Sequence, residues 1–260
     1  MLSDFDQAAA QYDQVFTFSH IGKAQRRFVF KYINSILSEN KKLSILELNC
    51  GTGHDAIKFA NLNHDVVATD ISEAMIRIAK SKSYPENLEF KVQDINTISS
   101  QTFDRKFDLV FSNFGGLNCL SEGQLQTFFS RASHILNPNG KLVLVLMPKQ
   151  CLWERLYFSL KGNFKKAKRR QTARSIPVKV GDTIVNTWYY NPQDILSMSQ
   201  SLYKAIQIKP IGITIPPSYL ESSVVSKRPI LNILKGIEHL INGAFWAKYA
   251  DHFLIELSKT

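Results

Sequence analysis

The stretch Leu43–Ala56, Leu-Ser-Ile-Leu-Glu-Leu-Asn-Cys-Gly-Thr-Gly-His-Asp-Ala, restricts the fold more than any other part of the chain. An Ile- and Leu-rich run too short for a helix ends in a carboxylate, Glu47, and a Gly-x-Gly turn. Ala56, Ile57, Phe59 and Ala60 then resume the apolar pattern at helical spacing, so the segment reads as strand, tight turn and helix. Gly51 and Gly53 remove Cβ where backbone can pass close to a ligand, and the new helix aims unpaired N–H groups into the same gap. An anionic group is expected there. Glu47 at the strand end favours a ligand that also carries positive charge or hydroxyl donors over a bare phosphate.

A glycine turn alone is a weak signal, because any strand-to-helix turn accepts glycine. The next two strands carry more weight. Val66–Thr69 is a second β-rich run ending in Asp70, followed by Ile71-Ser72-Glu73-Ala74-Met75 with Ser72 placed as a helix N-cap. An acid at that point suits a ribose, because one carboxylate can accept both hydroxyl protons of a diol. A third run, Leu88–Val92, leads to Asp94-Ile95, a carboxylate for an amino group beside an aliphatic face for a planar base. Phe107–Ser112 is nearly continuous apolar sequence, as a parallel strand buried on both faces requires. The loop beyond it, Asn113–Asn118, is expected to line the reacting centre, since open parallel sheets bind ligands at the carboxyl ends of their strands. Ser121 with Gln124 forms a capping box for a helix reaching His134, and Pro138-Asn-Gly turns the chain into strand Lys141–Met147. Five strand-plus-helix units without a hairpin signal imply a parallel, doubly wound α/β sheet.

In order and spacing, Glu47-Leu-Asn-Cys-Gly-Thr-Gly53, Asp70-Ile-Ser-Glu-Ala-Met75, Gln93-Asp94-Ile95 and Phe107–Asn113 resemble a class I S-adenosylmethionine-dependent methyltransferase of the small-molecule kind, over residues 10–150. The resemblance implies a mostly parallel, seven-stranded Rossmann-like sheet with an antiparallel last strand and a helical and hairpin insertion after strand 5. It implies S-adenosylmethionine as cofactor and S-adenosylhomocysteine as product. By resemblance Gly51 and Gly53 receive the methionyl part, Asp70 the ribose and Asp94 the adenine amino group, with Ile71, Met75 and Ile95 beside them. Glu47, Asn49 and Asn113 complete the turn side of the expected site, and Tyr12 is placed to help close it. Asn49 stands where the family usually has glycine; Asn tolerates left-handed backbone better than most residues, so the turn is expected to survive.

The charge changes after the fifth strand. Residues 1–150 carry 16 Lys and Arg against 15 Asp and Glu, whereas residues 151–260 carry 16 against 7 and hold nearly all of the net +10. The expected organisation is a cofactor-binding core with a helical cover over 1–150, a basic and aromatic insertion over 151–204, and two final strands with a helix over 205–260. Leu152, Trp153, Leu156, Tyr157 and Leu160 recur at helical spacing and run into seven cations between Lys161 and Arg174 with no acid among them. Such a stretch can lie on an anionic membrane surface, cover an active site, or be a core-facing helix with a solvated basic end. Val178–Tyr190 reads as a hairpin through Gly181-Asp182 that brings Trp188, Tyr189 and Tyr190 toward a pocket; Asn191-Pro192 opens a helix, and Pro216–Glu221 is read as pocket wall. Within 5–38, read as helical, Lys23, Arg26, Arg27 and Lys31 are assigned to a wet face.

Cys50, Cys119 and Cys151 have no metal spacing, so no metal is expected and reduced thiols in a cytoplasmic setting, with the inner membrane surface as a peripheral alternative, are the reading. No leader or spanning segment is recognised. A sulfonium methyl group is already activated, so the enzyme mainly has to position and desolvate the acceptor. Tyr12, His20, His54 and His252 are the candidates for a base, none in a spacing that demands catalysis. The expected function is methyl transfer to an apolar or anionic small molecule, lipid- or quinone-like. A nicotinamide-dependent oxidoreductase, a nucleic-acid methyltransferase and a non-catalytic cofactor-binding protein are the competing readings. Ala56 in place of a third glycine speaks against the first, and the lack of an Asn-Pro-Pro-aromatic loop after Ser112 speaks against the second.

Overall fold

The computed structural model describes residues 5–38, 41–180 and 183–260. Its centre is a seven-stranded sheet made of β1 (Ser44–Leu48), β2 (Asp65–Asp70), β3 (Leu88–Val92), β4 (Phe107–Ser112), β5 (Leu136–Leu146), β8 (Tyr203–Ile211) and β9 (His252–Lys259). Across the sheet the order is β3-β2-β1-β4-β5-β9-β8. β1 to β5 pair in parallel, and β9 runs antiparallel between β5 and β8. A separate antiparallel pair, β6 (Ile176–Val180) with β7 (Thr183–Thr187), forms the expected hairpin. Its turn at Gly181 and Asp182 lies outside the described residues.

Helices cover both faces of the sheet. They are α1 (Ala9–Tyr12), α2 (His20–Leu37), α3 (His54–Asn61), α4 (Glu73–Ser81), α5 (Glu122–Ile135), α6 (Leu152–Leu160), α7 (Phe164–Ala167), α8 (Pro192–Ser199) and α9 (Arg228–Leu240). Successive residues of a buried strand serve opposite cores. On β5, Val143 and Val145 pack with α2 and α3, while Leu142, Leu144 and Leu146 pack with α5 and α8. Every one of these five is at most 1% exposed, which is why the strand reads as an unbroken apolar run.

The local signals account for the element ends. Ser72 accepts the Met75 N–H at the start of α4, and Ser121/Gln124 and Asn191/Asp194 form complete capping boxes on α5 and α8. The amino-terminal cover differs from the expected continuous helix. α1 runs into a π-helical turn, Asp13–Thr17, and the chain breaks at Phe18 and Ser19 before Ser19 caps α2. Gly22 explains the break, since a Cβ there would fall 2.0 Å from the Phe16 carbonyl oxygen.

Two buried polar side chains pin the irregular parts. Asn118, fully buried, accepts from Met147 N at 2.9 Å and donates to the carbonyls of Met147 and Trp188, tying the loop after β4 to the end of β5 and to the hairpin exit. Glu238 of α9, 1% exposed, accepts from the four consecutive backbone N–H groups of Gly212 to Ile215 and from the Thr214 hydroxyl. No helix among the described residues is long and apolar enough to cross a membrane. Glu238→Ala leaves four buried donors without an acceptor and is expected to lower unfolding free energy by about 3–5 kcal/mol in urea titrations, with Glu238→Gln intermediate.

Candidate functional site

The strand order reverses between β1 and β4, and a cavity of about 500 Å³ opens at the carboxyl ends of the strands there. Nine of the eleven residues expected at the site line it: Tyr12, Asn49, Gly51, Asp70, Ile71, Met75, Asp94, Ile95 and Asn113. Glu47 and Gly53 do not; they lie behind the turn.

Asp70 organises the polar side. One carboxylate oxygen accepts the Gly51 N–H at 2.8 Å, and the other accepts the Ser72 N–H at 2.9 Å. The turn after β1 and the start of α4 are thereby tied to one side chain, which is only 8% exposed. Burial pushes its pKa up, against the pull of the two backbone donors. Asn49, at φ 54°, and Gly51, also at φ 54°, give the turn its left-handed path. A Cβ on Gly51 would meet the Tyr12 ring at 3.5 Å, an ordinary contact, so it is the left-handed backbone and not space that favours glycine here. Asp94 sits across the cavity, where its carboxylate accepts the Asn96 N–H at 2.8 Å beside the buried Ile95.

Gly53 has another reason than the one expected. A Cβ there would lie 2.5 Å from Phe90 Cζ, so the glycine allows α3 to approach β3 rather than a ligand to approach the backbone. The helix N-terminus is also met from within the protein, where the Ala56 N–H donates to the Glu47 carboxyl group. Glu47 is 2% exposed, and burial, then the neighbouring Asp55, raises its pKa well above the ordinary range. Its Oε2 is buried without a hydrogen-bond partner.

Arg26, expected on a wet face, instead turns inward. Its Nε lies 2.8 Å from Asp55 Oδ1, and its guanidinium lies 5.1 Å from the Phe114 ring centroid. Asp55 Oδ2 in turn accepts from Asn113 Nδ2 at 2.7 Å, so an ion pair and one charge-assisted hydrogen bond link α2 through α3 to the loop after β4. Neither Arg26 nor Asp55 carries a sequence signal for this, because helical periodicity cannot tell an inward-turned cation from a solvated one. Asn118 is likewise a clamp and not a lining residue. Missed are Cys119 and Leu120, which continue the loop after β4, and Phe5 and Val185, which only the folding of the cover and hairpin brings in.

A second cavity, of about 430 Å³, shares Phe5, Tyr12, Phe114, Gly115, Cys119 and Val185 with the first. Its walls are mainly apolar, from Val15, Phe16, Met147, Val178 and Val180, with Tyr189, Pro217 and Tyr219 beyond. One end holds a buried ionic cluster. Arg170 Nη2 lies 2.9 Å from Glu154 Oε1 and 2.8 Å from Asp251 Oδ1, Arg169 also pairs with Glu154, and Gln25 donates to Asp251. Arg170 is 5% exposed, and with Arg169 it takes two of the seven cations between Lys161 and Arg174 into interior pairs, contrary to a wholly solvated run. Of the four candidate bases, Tyr12 and His252 line this cavity. His20 pairs with Glu221 at the start of α2, and His54 packs on Phe18 outside both cavities. Burial pushes the Tyr12 hydroxyl up to about 12, so it stays protonated at neutral pH and can donate but not act as a base.

A seven-stranded sheet with this order, and a glycine turn bonded to one strand-end acid with a second acid lining the same cavity at the switch point, is the class I methyltransferase architecture. Residues 45–140 match the family model described as "Methyltransferase domain". A malonyl-[acyl-carrier protein] O-methyltransferase of Bacillus cytotoxicus is 31% identical over 111 residues, 42% of this chain and 37% of the relative. The enzyme of that name from Bacillus anthracis is 27% identical over 175 residues, 66% of this chain and 59% of the relative. The chain thus spans less than two thirds of the length of these curated relatives. Among solved structures, magnesium protoporphyrin IX methyltransferase of Synechocystis PCC 6803 with bound SAH superposes with a TM-score of 0.59 at 14% identity, covering 93% of this chain and 86% of that one, and shares the fold. Residues 45–140 thus match a methyltransferase domain, and the sheet around them has the fold of the class I S-adenosylmethionine-dependent methyltransferases. The cavity fits that cofactor: both Asp70 oxygens keep free lone pairs for hydroxyls, Asp94 and Ile95 offer an acceptor and an apolar face, and the Glu47 Oε2 behind the turn is a buried oxygen with no hydrogen-bond partner.

The Glu47 environment has a pH consequence. A carboxyl group whose folded pKa is raised contributes stability that is fully present below its unfolded pKa and lost as pH rises through the folded one. Glu47→Gln removes that loss. Its midpoint of denaturation is expected to exceed the wild-type value at neutral pH, with the difference disappearing below the ordinary carboxylate range of about 4.

Proposed function

We propose that the protein transfers the methyl group of S-adenosylmethionine to a small-molecule acceptor with an apolar body held in the second cavity. The observation that carries this is the shared wall: Phe114, Gly115 and Cys119 border both cavities, so an acceptor on one side faces a cofactor on the other. In this reading Asp70 holds the ribose hydroxyls, Asp94 the adenine amino group, and Ile71, Met75 and Ile95 its faces. Asn49, Gly51, Asn113 and Tyr12 close around the methionyl end, with Glu47 acting from behind the turn and Gly53 as a packing residue. Bound there, the cofactor supplies an activated methyl group. The chain's part is to hold a nucleophile in line at about 3–3.5 Å and to exclude water. The cover over residues 5–18 and the insertion over 151–204 do the excluding.

An oxygen nucleophile is favoured by the relatives' names, which specify O-methyl transfer. His252 is the group placed to take a proton from such an acceptor: its ring stacks edge-on against Phe114, and Nδ1 lies 3.2 Å from Asp251 Oδ2. A lipid-like acceptor fits the exterior as well. Leu156, Leu160 and Phe164 are 57%, 79% and 66% exposed beside Lys161, Lys165, Lys166 and Lys168, an apolar and cationic face suited to an anionic membrane surface.

Calorimetric titration with S-adenosylmethionine, with NAD(H) in parallel, tests the cofactor. Saturable binding of the first alone is expected, weakened by Asp70→Ala to the extent of about 1.5–3 kcal/mol for each charged hydrogen bond lost, before water compensates. Unchanged affinity in Asp70→Ala would remove Asp70 from the site. Labelled methyl donor with fractionated extracts should then mark the acceptor. For the membrane face, sedimentation with vesicles containing anionic lipid is expected, and reversal of Lys165 and Lys166 to Glu should abolish it; equal binding to neutral vesicles would refute that contact.

A further inference from the structure

Arg26 also borders a third cavity, of about 560 Å³, remote from the acids of the first two. Lys23, Arg26, Arg27 and Lys31 project into it from α2, Lys58 and His54 from α3, and His239 from α9. The α2 positions recur every three or four residues and so share one helix face. No Asp or Glu belongs to the lining. Among the described residues, only Arg26 of the five cations pairs with a carboxylate, and that carboxylate is shared with Asn113.

The local geometry shows what this convergence costs. Lys58 Nζ rests 3.3 Å from the Phe30 ring centroid, a cation held by an aromatic face instead of an acid. Lys31 Nζ lies 2.8 Å from His239 Nδ1, a contact that requires a lone pair on that nitrogen. Burial, then Lys31 and Arg27, lowers the pKa of His239; burial and then Arg26 lowers that of His54; and burial, with Arg26, lowers that of Lys58 against the pull of Asp55. Three groups from two helices are thus held toward neutrality by burial and their cationic neighbours. A counter-anion would relieve all three at once.

We propose that this cavity is a binding site for a compact, multivalent anion carrying phosphate groups, such as a diphosphate or a diphosphate ester. Five cations spread over two helices exceed what a single carboxylate can engage. Tetrahedral phosphate accepts both the point charge of lysine and the fork of arginine. Phe28 and Phe30 supply an apolar floor against which an ester's organic part can lie. The site stands independently of methyl transfer, although Arg26 and the Asp55–Asn113 link place it next to the cofactor cavity.

Titration calorimetry of the whole protein with inorganic pyrophosphate, and separately with orthophosphate, tests this. Saturable one-to-one pyrophosphate binding is expected, at least about tenfold tighter than orthophosphate and weakened by salt. The double substitutions Arg27→Gln with Lys58→Gln, and Arg27→Glu with Lys58→Glu, should each reduce affinity by at least about tenfold while leaving S-adenosylmethionine binding unchanged. Proton NMR should show His54 and His239 titrating at higher pH in the pyrophosphate-saturated protein. Absence of saturable binding, or equal affinity in both double variants, would overturn the assignment. Tighter binding of oligonucleotides that grows with their length would overturn it too, in favour of a nucleic-acid face.

Discussion

The Asp70 carboxylate is the point on which the cofactor half depends. Its two oxygens accept one N–H from the turn after β1 and one from the start of α4, so the spacing of two strand ends is set by a single planar group. This works only because β1 and β2 run parallel in a register that places Leu48 beside Thr69, bringing Gly51 and Asp70 to the same edge. Burial of the carboxylate raises its pKa, and the two donors offset that in part, which leaves the group poised to gain from further hydroxyl donors. A strand-end acid in this position is a structural tie whose remaining lone pairs face the cavity.

A second constraint governs the opposite end of the site. Asp251, at the entry to β9, is held by Arg170 from the insertion and by Gln25 from the amino-terminal cover. Against the push of burial, its contacts with His252 and then Arg170 hold its carboxyl below the usual range. Three segments distant in sequence therefore meet on one side chain. Breaking such a pair strands a buried charge, so the cluster fixes how the cover and the insertion close over the second cavity. Its Coulombic gain is offset by desolvation, and its contribution lies more in that placement than in net stability.

The glycine turn illustrates how one motif divides its labour. Gly51 gives the chain its left-handed path, whereas Gly53 lets α3 press on Phe90. Glu47 meets the N-terminus of α3 through the Ala56 N–H, so the helix dipole is partly answered from within the protein. The concavity left for a ligand is correspondingly lined by acceptors and apolar faces on one side and, beyond Phe114, by an apolar chamber.

Local sequence was enough to dictate the parallel sheet and most of one site. Apolar runs of strand length, Ser72 and the Ser121/Gln124 box, and acids at the ends of successive strands are short-range signals, and each element formed where its own residues directed. The places of Asp70, Asp94 and the left-handed Asn49 on the cavity were legible for that reason: each follows from position at or just beyond a strand end, which the chain encodes in a few neighbouring residues. Long-range packing settled the rest. The inward turn of Arg26 and Arg170, the clamp at Asn118 and the nest around Glu238 depend on partners from 16 to 81 residues away along the chain. Helical periodicity marks a cation as polar but says nothing of whether a carboxylate waits for it inside. The second cavity exists only because a cover from the amino terminus and a hairpin from the insertion meet over the same strand ends, a juxtaposition that no single stretch of the chain encodes.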